Sequence, residues 1–133
     1  MSPINTMRCI KSNSLTRILK RSEYLRVKQR GTSVAAPGLV IQAAPGANDG
    51  NFLYPRVGFT VSKKVGNAVK RNRARRRLKS VASDVLSKEG FPSWDYVFIG
   101  RAMTLDRTYD SLLQDARLAL RKIHQKTIQK RMS

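Results

Sequence analysis

The chain has 133 residues, with 27 Lys and Arg against 8 Asp and Glu, a formal net charge of +19. That length fits one domain of roughly 100–200 residues, and 41% apolar residues supply one modest core rather than two. The lone Cys9 excludes an intramolecular disulfide framework and a cysteine-based zinc site, and it suits a reducing compartment.

From Met1 to Lys20 the chain is punctuated by Arg8, Lys11, Arg17 and Lys20, so no signal peptide is expected. No stretch approaches the roughly 18–20 apolar residues of a spanning helix. A soluble polyanion is the expected partner, with nucleic acid ahead of an anionic membrane surface, and the cytoplasm the expected compartment. Residues 1–18 read as a flexible basic lead-in, 19–126 as the folded domain and 127–133 as a basic tail.

Helix-compatible residues dominate from Ser14 to Arg30. Ser22 and Glu23 offer a cap and a first-turn acid for a helix over about Glu23–Arg30, and Gly31 offers the stop. Leu39-Val40-Ile41, bounded by Pro-Gly pairs, predicts a strand, and the turn-rich segment Pro45 to Tyr54 a hairpin loop. Val57, Phe59 and Val61 alternate as in a half-buried strand. Asn67 is placed to cap a long helix from Ala68 to about Leu86. Tyr96 to Ile99 predicts a buried strand, and Leu112, Leu113, Ala116, Leu120 and Ile123 an amphipathic helix from Thr104 to about Gln129. The sum is a single compact α+β domain, order αβββαβα, containing a strand–helix–strand unit.

The most informative segment is Lys63 to Lys79, with nine Lys or Arg and no acid; no carboxylate occurs from Gly50 to Ser83. On a wheel of about 100° per residue, Ala74, Leu78, Val81 and Val85 share one arc, and Asn72, Arg73, Arg76 and Lys79 lie opposite. Lys70, Arg71, Arg75 and Arg77 flank the two, where long stems can snorkel outward. One stripe can therefore be buried while a basic face, donor-only save for one amide, points away. Guanidinium forks give paired hydrogen bonds to phosphate and stack on unpaired bases, and Asn72 adds a donor and an acceptor. A solvated basic face is the bland alternative, and a nuclear-localisation run is another by composition alone.

A protein-only nuclease would need clustered carboxylates or a histidine acid–base pair. The acids Glu23, Asp49, Asp84, Glu89, Asp95, Asp106, Asp110 and Asp115 are dispersed, although Asp106 and Asp110 have the spacing to share a helix face. His124 is the only histidine and is expected at the surface of the last helix. Trp94 reads as a core or rim aromatic. Gly58 and Gly66 permit close backbone approach, to a ligand or within a turn, and Ser62 can serve a phosphate or a local turn bond. No catalytic or metal-binding residues are assigned.

Val57-Gly58-Phe59-Thr60-Val61-Ser62-Lys63-Lys64-Val65-Gly66-Asn67-Ala68-Val69-Lys70, followed by Arg71-Asn72-Arg73 and Arg75-Arg76-Arg77-Leu78, resembles the protein subunit of bacterial ribonuclease P. Leu19 to Tyr24, Gly31 to Ser33 and Asp95 to Arg101 extend the resemblance over roughly Leu19 to Ile123. The resemblance implies a mixed four-stranded sheet with about three helices and a left-handed βαβ crossover. It implies a protein that assists a catalytic RNA in removing the 5′ leader from precursor tRNA. Magnesium would be held mainly by the RNA, the partners being that RNA and precursor tRNA, with no membrane and no protein partner required. Lys63, Lys64, Asn67, Lys70, Arg71, Asn72, Arg73, Arg75, Arg76 and Lys79 would contact the RNA. Tyr24, with Phe59 and Ser62, would line a leader cleft between the first helix and the sheet. Three positions favoured by aromatics in that cleft fall at Tyr24, Lys28 and Gln42, of which only Tyr24 is aromatic. A ribosomal or other structural RNA-binding protein is the alternative, and a protein-only endonuclease a more distant one.

Overall fold

The computed structural model of the chain describes residues 16–18, 21–45, 55–90 and 94–132. In order these form β1 (Thr16–Arg17), α1 (Arg21–Arg30), β2 (Thr32–Ala35), β3 (Leu39–Pro45), β4 (Arg56–Val61) and a 3-10 turn (Lys63–Val65). Then come α2 (Ala68–Glu89), β5 (Trp94–Gly100), α3 (Met103–Asp106) and α4 (Tyr109–Met132). The sheet runs β1-β4-β5-β3-β2. The β1–β4 and β4–β5 pairs are parallel, and β5–β3 and β3–β2 are antiparallel.

Strand alternation sorts the sheet into two faces. Leu39, Ile41 and Ala43 of β3, Val57 and Val61 of β4, and Tyr96 and Phe98 of β5 enter the main core. Ala74, Leu78, Val81, Ala82, Val85 and Leu86 of α2 and Leu112, Ala116, Leu120 and Ile123 of α4 meet them there. The buried stripe of α2 thus contains the four positions that the wheel placed together. On the opposite face, Val27 of α1 packs with Ile18, Ala44 and Val97, bordered by Tyr24 and Ile99. The layers are α1, sheet, then α2 with α4, and the expected strand–helix–strand unit is β4–α2–β5 with its strands adjacent.

Several expectations are corrected. Thr16–Arg17 is not part of a loose lead-in: it pairs with Arg56 and Val57, and Ile18, 2% exposed, is core. The sheet therefore has a fifth, two-residue strand beside the four expected. Helix α1 starts at Arg21, before the expected cap, with Glu23 in its first turn. Strands β3 and β4 do not form a hairpin, because β5 lies between them and pairs with both. The hairpin is β2–β3, closed by the Ala36 N–H donating to the Leu39 carbonyl at 2.8 Å.

The last helix is two helices. Arg107 is extended (φ −74°, ψ 147°), and the Thr108 hydroxyl accepts from the Ser111 N–H at 3.1 Å, capping α4 afresh. Asp106 and Asp110 consequently sit on different helices. The α4 backbone continues past the expected boundary at 126. Cys9, the rest of the expected lead-in and most of the loop from Pro45 to Tyr54 lie outside the described residues.

Candidate nucleic-acid interface

The turn between β4 and α2 is built by its sequence. Ser62 Oγ accepts from the Lys64 N–H at 3.3 Å, opening the 3-10 turn that carries Lys63 and Lys64 into solvent. Gly66 follows at φ 146°, a conformation L side chains rarely adopt. Asn67 Oδ1 then accepts from the Lys70 N–H at 3.0 Å, the cap its position predicts. The first turn of α2 contains no acid. Its partial positive charge is met by Lys63, Lys64, Lys70 and Arg71, an arrangement that an external anion would stabilise.

Along α2, Lys70, Asn72, Arg73, Arg76 and Lys79 are exposed, and Arg71, Arg75 and Arg77 are half-buried. Arg75 Nη1 donates to Asn72 Oδ1 at 3.2 Å, so the Asn72 acceptor is engaged within the helix and its amide N–H groups face outward. Arg77 differs from its neighbours: its guanidinium turns down to the Arg107 carbonyl and ties α2 to the end of α3. The structure therefore brings Lys63, Lys64, Asn67, Lys70, Arg71, Asn72, Arg73, Arg75, Arg76 and Lys79 onto one turn and one helix.

Tyr24 lies on the other face of the sheet. Its hydroxyl donates to the Ile18 carbonyl at 3.2 Å and accepts from the Phe59 N–H at 3.3 Å, bridging β1 and β4 where their ladder stops. The ring crosses Gly58 so closely that a Cβ there would lie 2.5 Å from the hydroxyl oxygen. The close approach permitted by Gly58 is thus to Tyr24. Beside it, Arg21, Tyr24, Leu25 and Thr60 line a hollow of about 390 Å³. By register Thr60, Ile99 and Val40 form one row, and Gly58, Val97 and Gln42 the next. Gln42 therefore shares the sheet face that α1 covers only in part.

Phe59 does not line this cleft. It points to the α2 side, packed against the main core with its ring centroid 6.1 Å from that of Phe98. The cause is strand parity: Phe59 shares its face with Val57 and Val61, and Gly58 and Thr60 take the α1 side. Ser62 lines a separate hollow of about 430 Å³ at the carboxyl ends of β4 and β5, with Lys64, Val65, Arg101 and Met103 among its walls.

The acids are largely consumed within the fold. Asp95 accepts from Arg56 Nε and Nη2 at 2.8 Å each and from Arg26, and Glu23 accepts from Arg56 Nη1 at 2.7 Å. The hydrogen bond from Arg56 to Asp95 raises the Arg56 pKa, with Glu23 adding and burial opposing. Asp115 takes two bonds at 3.0 Å from Arg107 and one at 3.1 Å from the Gly38 N–H. Asp84 accepts from the Tyr109 hydroxyl at 2.6 Å; burial, with this bond, pushes the Tyr109 phenol up to about 12 against the pull of Arg77. Glu89 lies 3.4 Å from Arg121 and 3.8 Å from Arg117. Among the described residues no three His, Cys, Asp or Glu gather as a metal site.

His124 is half-buried rather than a surface residue. Its Nε2 is 2.9 Å from the Tyr96 hydroxyl and its ring stands edge-on to Trp94, centroids 5.5 Å apart. Burial lowers its pKa, with Glu89 opposing. Trp94, 8% exposed, is a core aromatic.

Sequence reasoning missed Arg21, Leu25 and Thr60 as walls of the hollow, and Arg101 beside Lys64. Arg101 left a usable signal: a cation directly after the last apolar strand. The alternation along β4 sets Thr60 opposite Val57, Phe59 and Val61, but it does not tell that α1 lies over that opposite face.

The Ribonuclease P family model matches residues 13–124. The ribonuclease P protein component of Paramagnetospirillum magneticum is 50% identical over 110 residues, covering 82% of this chain and 83% of that protein. That of Ruegeria pomeroyi is 47% identical over 114 residues, covering 85% and 90%. The Staphylococcus aureus RNase P protein structure is similar with a TM-score of 0.64 at 28% identity, over 79% of this chain and 92% of that one. The Thermotoga maritima RNase P protein, 22% identical, shares the fold with a TM-score of 0.64 over 80% of this chain and 96% of the other. A basic turn and helix on one side of a mixed sheet, a partly covered face on the other, and these likenesses lead to one conclusion: the chain belongs to the ribonuclease P protein family.

Proposed function

We propose that this chain is the protein subunit of ribonuclease P, working beside a catalytic RNA that removes the 5′ leader from precursor tRNA in the cytoplasm. The observation that carries the reading is the acid-free basic run from Lys63 to Lys79, whose exposed Lys63, Lys64, Lys70, Arg73, Arg76 and Lys79 are backed by a buried apolar stripe. Phosphates of the RNA subunit dock on that turn and helix, where each neutralised phosphate releases condensed counterions. The single-stranded leader lies along the open sheet face beside α1. Tyr24 offers a ring for stacking, worth about 1–3 kcal/mol per base, while Lys28 and Gln42 stand where further aromatics would. Leader binding in this chain rests correspondingly more on charge and hydrogen bonds.

The chain supplies position and charge, and the chemistry belongs to the RNA, with magnesium held among its phosphates. Cations between two polyanions lower their repulsion and fix the register of the leader against the cleavage site. Supporting this division of labour, Glu23, Asp84, Glu89, Asp95 and Asp115 serve internal contacts. The test is cleavage of precursor tRNA at low magnesium by catalytic RNA alone, protein alone, and both together. Cleavage at the leader junction by the mixture only is the expected result. A protein that adds nothing to the RNA is instead a structural RNA-binding protein, and cleavage by protein alone overturns the assignment of chemistry to the RNA.

A further inference from the structure

Helix α1 forms one wall of the leader cleft, yet its apolar grip on the sheet is slight: Val27 is its one buried residue. Polar contacts hold it instead. The two adjacent strands β4 and β5 place Arg56 and Asp95 opposite each other on the α1 face. Arg56 clasps both Asp95 oxygens at 2.8 Å and extends its third nitrogen to Glu23 of α1 at 2.7 Å. Arg26, one turn on from Glu23, returns to Asp95 and also donates to the Pro45 carbonyl at 3.1 Å. Asp95 is fully buried and Arg56 is 8% exposed, so neither meets a ligand.

A guanidinium fork fixes direction as well as distance. Glu23 and Arg26 bracket Tyr24, so the plane of Arg56 fixes where the Tyr24 ring and the neighbouring Arg21 and Leu25 walls stand over Thr60. Stability alone is a poor account of this network. Apolar replacement of a buried ion pair is often neutral or stabilising, and in some folds such a pair serves instead to fix one arrangement.

We propose that Arg56 and Asp95 are positioning residues for the leader: with Glu23 and Arg26 they set the height and rotation of α1, and through it the width of the cleft. The inference rests on the reading of that cleft as the leader's seat.

The experiment uses the protein assembled with the catalytic RNA and measures affinity for precursor tRNA with a long leader and with a single-nucleotide leader. The variants are Arg56→Met combined with Asp95→Leu, which restores an apolar pair, and Arg56→Lys, which keeps the charge and loses the fork. For the double variant, long-leader affinity should fall about tenfold and short-leader affinity should stay within about twofold, the scale expected of a small misplacement. Arg56→Lys should show the same selective loss, about threefold, in a variant that still unfolds in one cooperative transition. Equal losses for both leaders, or no loss in a folded variant, overturn the inference. If the double variant does not fold, Arg56→Lys decides alone by the same criterion. The failure of the underlying reading is separate: in that case the unaltered assembly itself does not distinguish the two leaders.

Discussion

On the α1 side of the sheet, Arg26 and Arg56 are drawn against Asp95 and Glu23, whereas on the far side Arg73, Arg76 and Lys79 of α2 stand in solvent. The residue type is the same; what differs is where the few acids have been spent. Placed inside, a carboxylate converts an arginine into a directional tie between elements. Withheld from the surface, it leaves arginine to whatever polyanion arrives. A chain with 27 basic and 8 acidic residues thus has two populations of cation, and sequence charge counts see one. Arg77 sharpens the contrast, since it lies within the basic run and yet serves the fold through the Arg107 carbonyl.

The largest effect expected from breaking this contrast is on assembly. Arg73→Ala with Arg76→Ala removes two exposed cations and no internal tie, so unfolding should be unchanged within about 0.5 kcal/mol. Affinity for the RNA subunit should fall about tenfold or more, and the log–log salt slope should flatten by about 0.7–0.9 for each phosphate that is no longer neutralised. Filter binding across a salt series reads both. An unchanged slope would remove α2 from the interface.

Tyr24 sits between the two populations, structural at its hydroxyl and open at its ring. Tyr24→Phe strands the Ile18 carbonyl and Phe59 N–H that the hydroxyl bridges, which should cost about 1–2 kcal/mol in chemical denaturation. Because the ring remains, leader affinity in the assembly should change less than for Tyr24→Ala. Equal leader affinity for the two variants would mean that the ring does not stack.

Much of the α2 side was legible in the sequence because its signals are local. Asn67 is a cap wherever it precedes such a helix, and the 3.6-residue period alone sorts Leu78 inward and Arg76 outward. The α1 side was not legible, because it is made by contacts distant in sequence. The Arg56–Asp95 pair joins residues on strands separated by all of α2, and nothing local marks Arg56 as buried. Phe59 was placed in the cleft although its alternation with Val57 and Val61 already groups the three on one face; what the alternation leaves open is which of the two faces α1 covers. The short β1 was hidden because two residues carry no period. The break at Arg107 was readable from Thr108 and Ser111, whose capping bond interrupts what the apolar spacing runs together.

The smallest expected effect comes from His124, a titrating side chain at the rim of the core. His124 packs against Trp94 and Tyr96 on its sheet side, with Glu89 the charged group acting on it, itself beside Arg117 and Arg121. Burial depresses the imidazole pKa below its ordinary value of about 6.5, so the folded state binds fewer protons than the unfolded chain between the two values. Stability from this group is therefore fully present above pH of about 6.5 and is lost as pH falls toward the folded pKa. The thermal midpoint should fall as pH is lowered from about 7.5 to 5.5, and more shallowly in His124→Gln, which keeps a polar partner for Tyr96 without titrating. Because the imidazole is only half-buried, water and Glu89 moderate the penalty, and the difference between the two slopes should be small beside the effects on α2 and Tyr24. Parallel slopes would show that the acid sensitivity of this fold lies in its carboxylates instead.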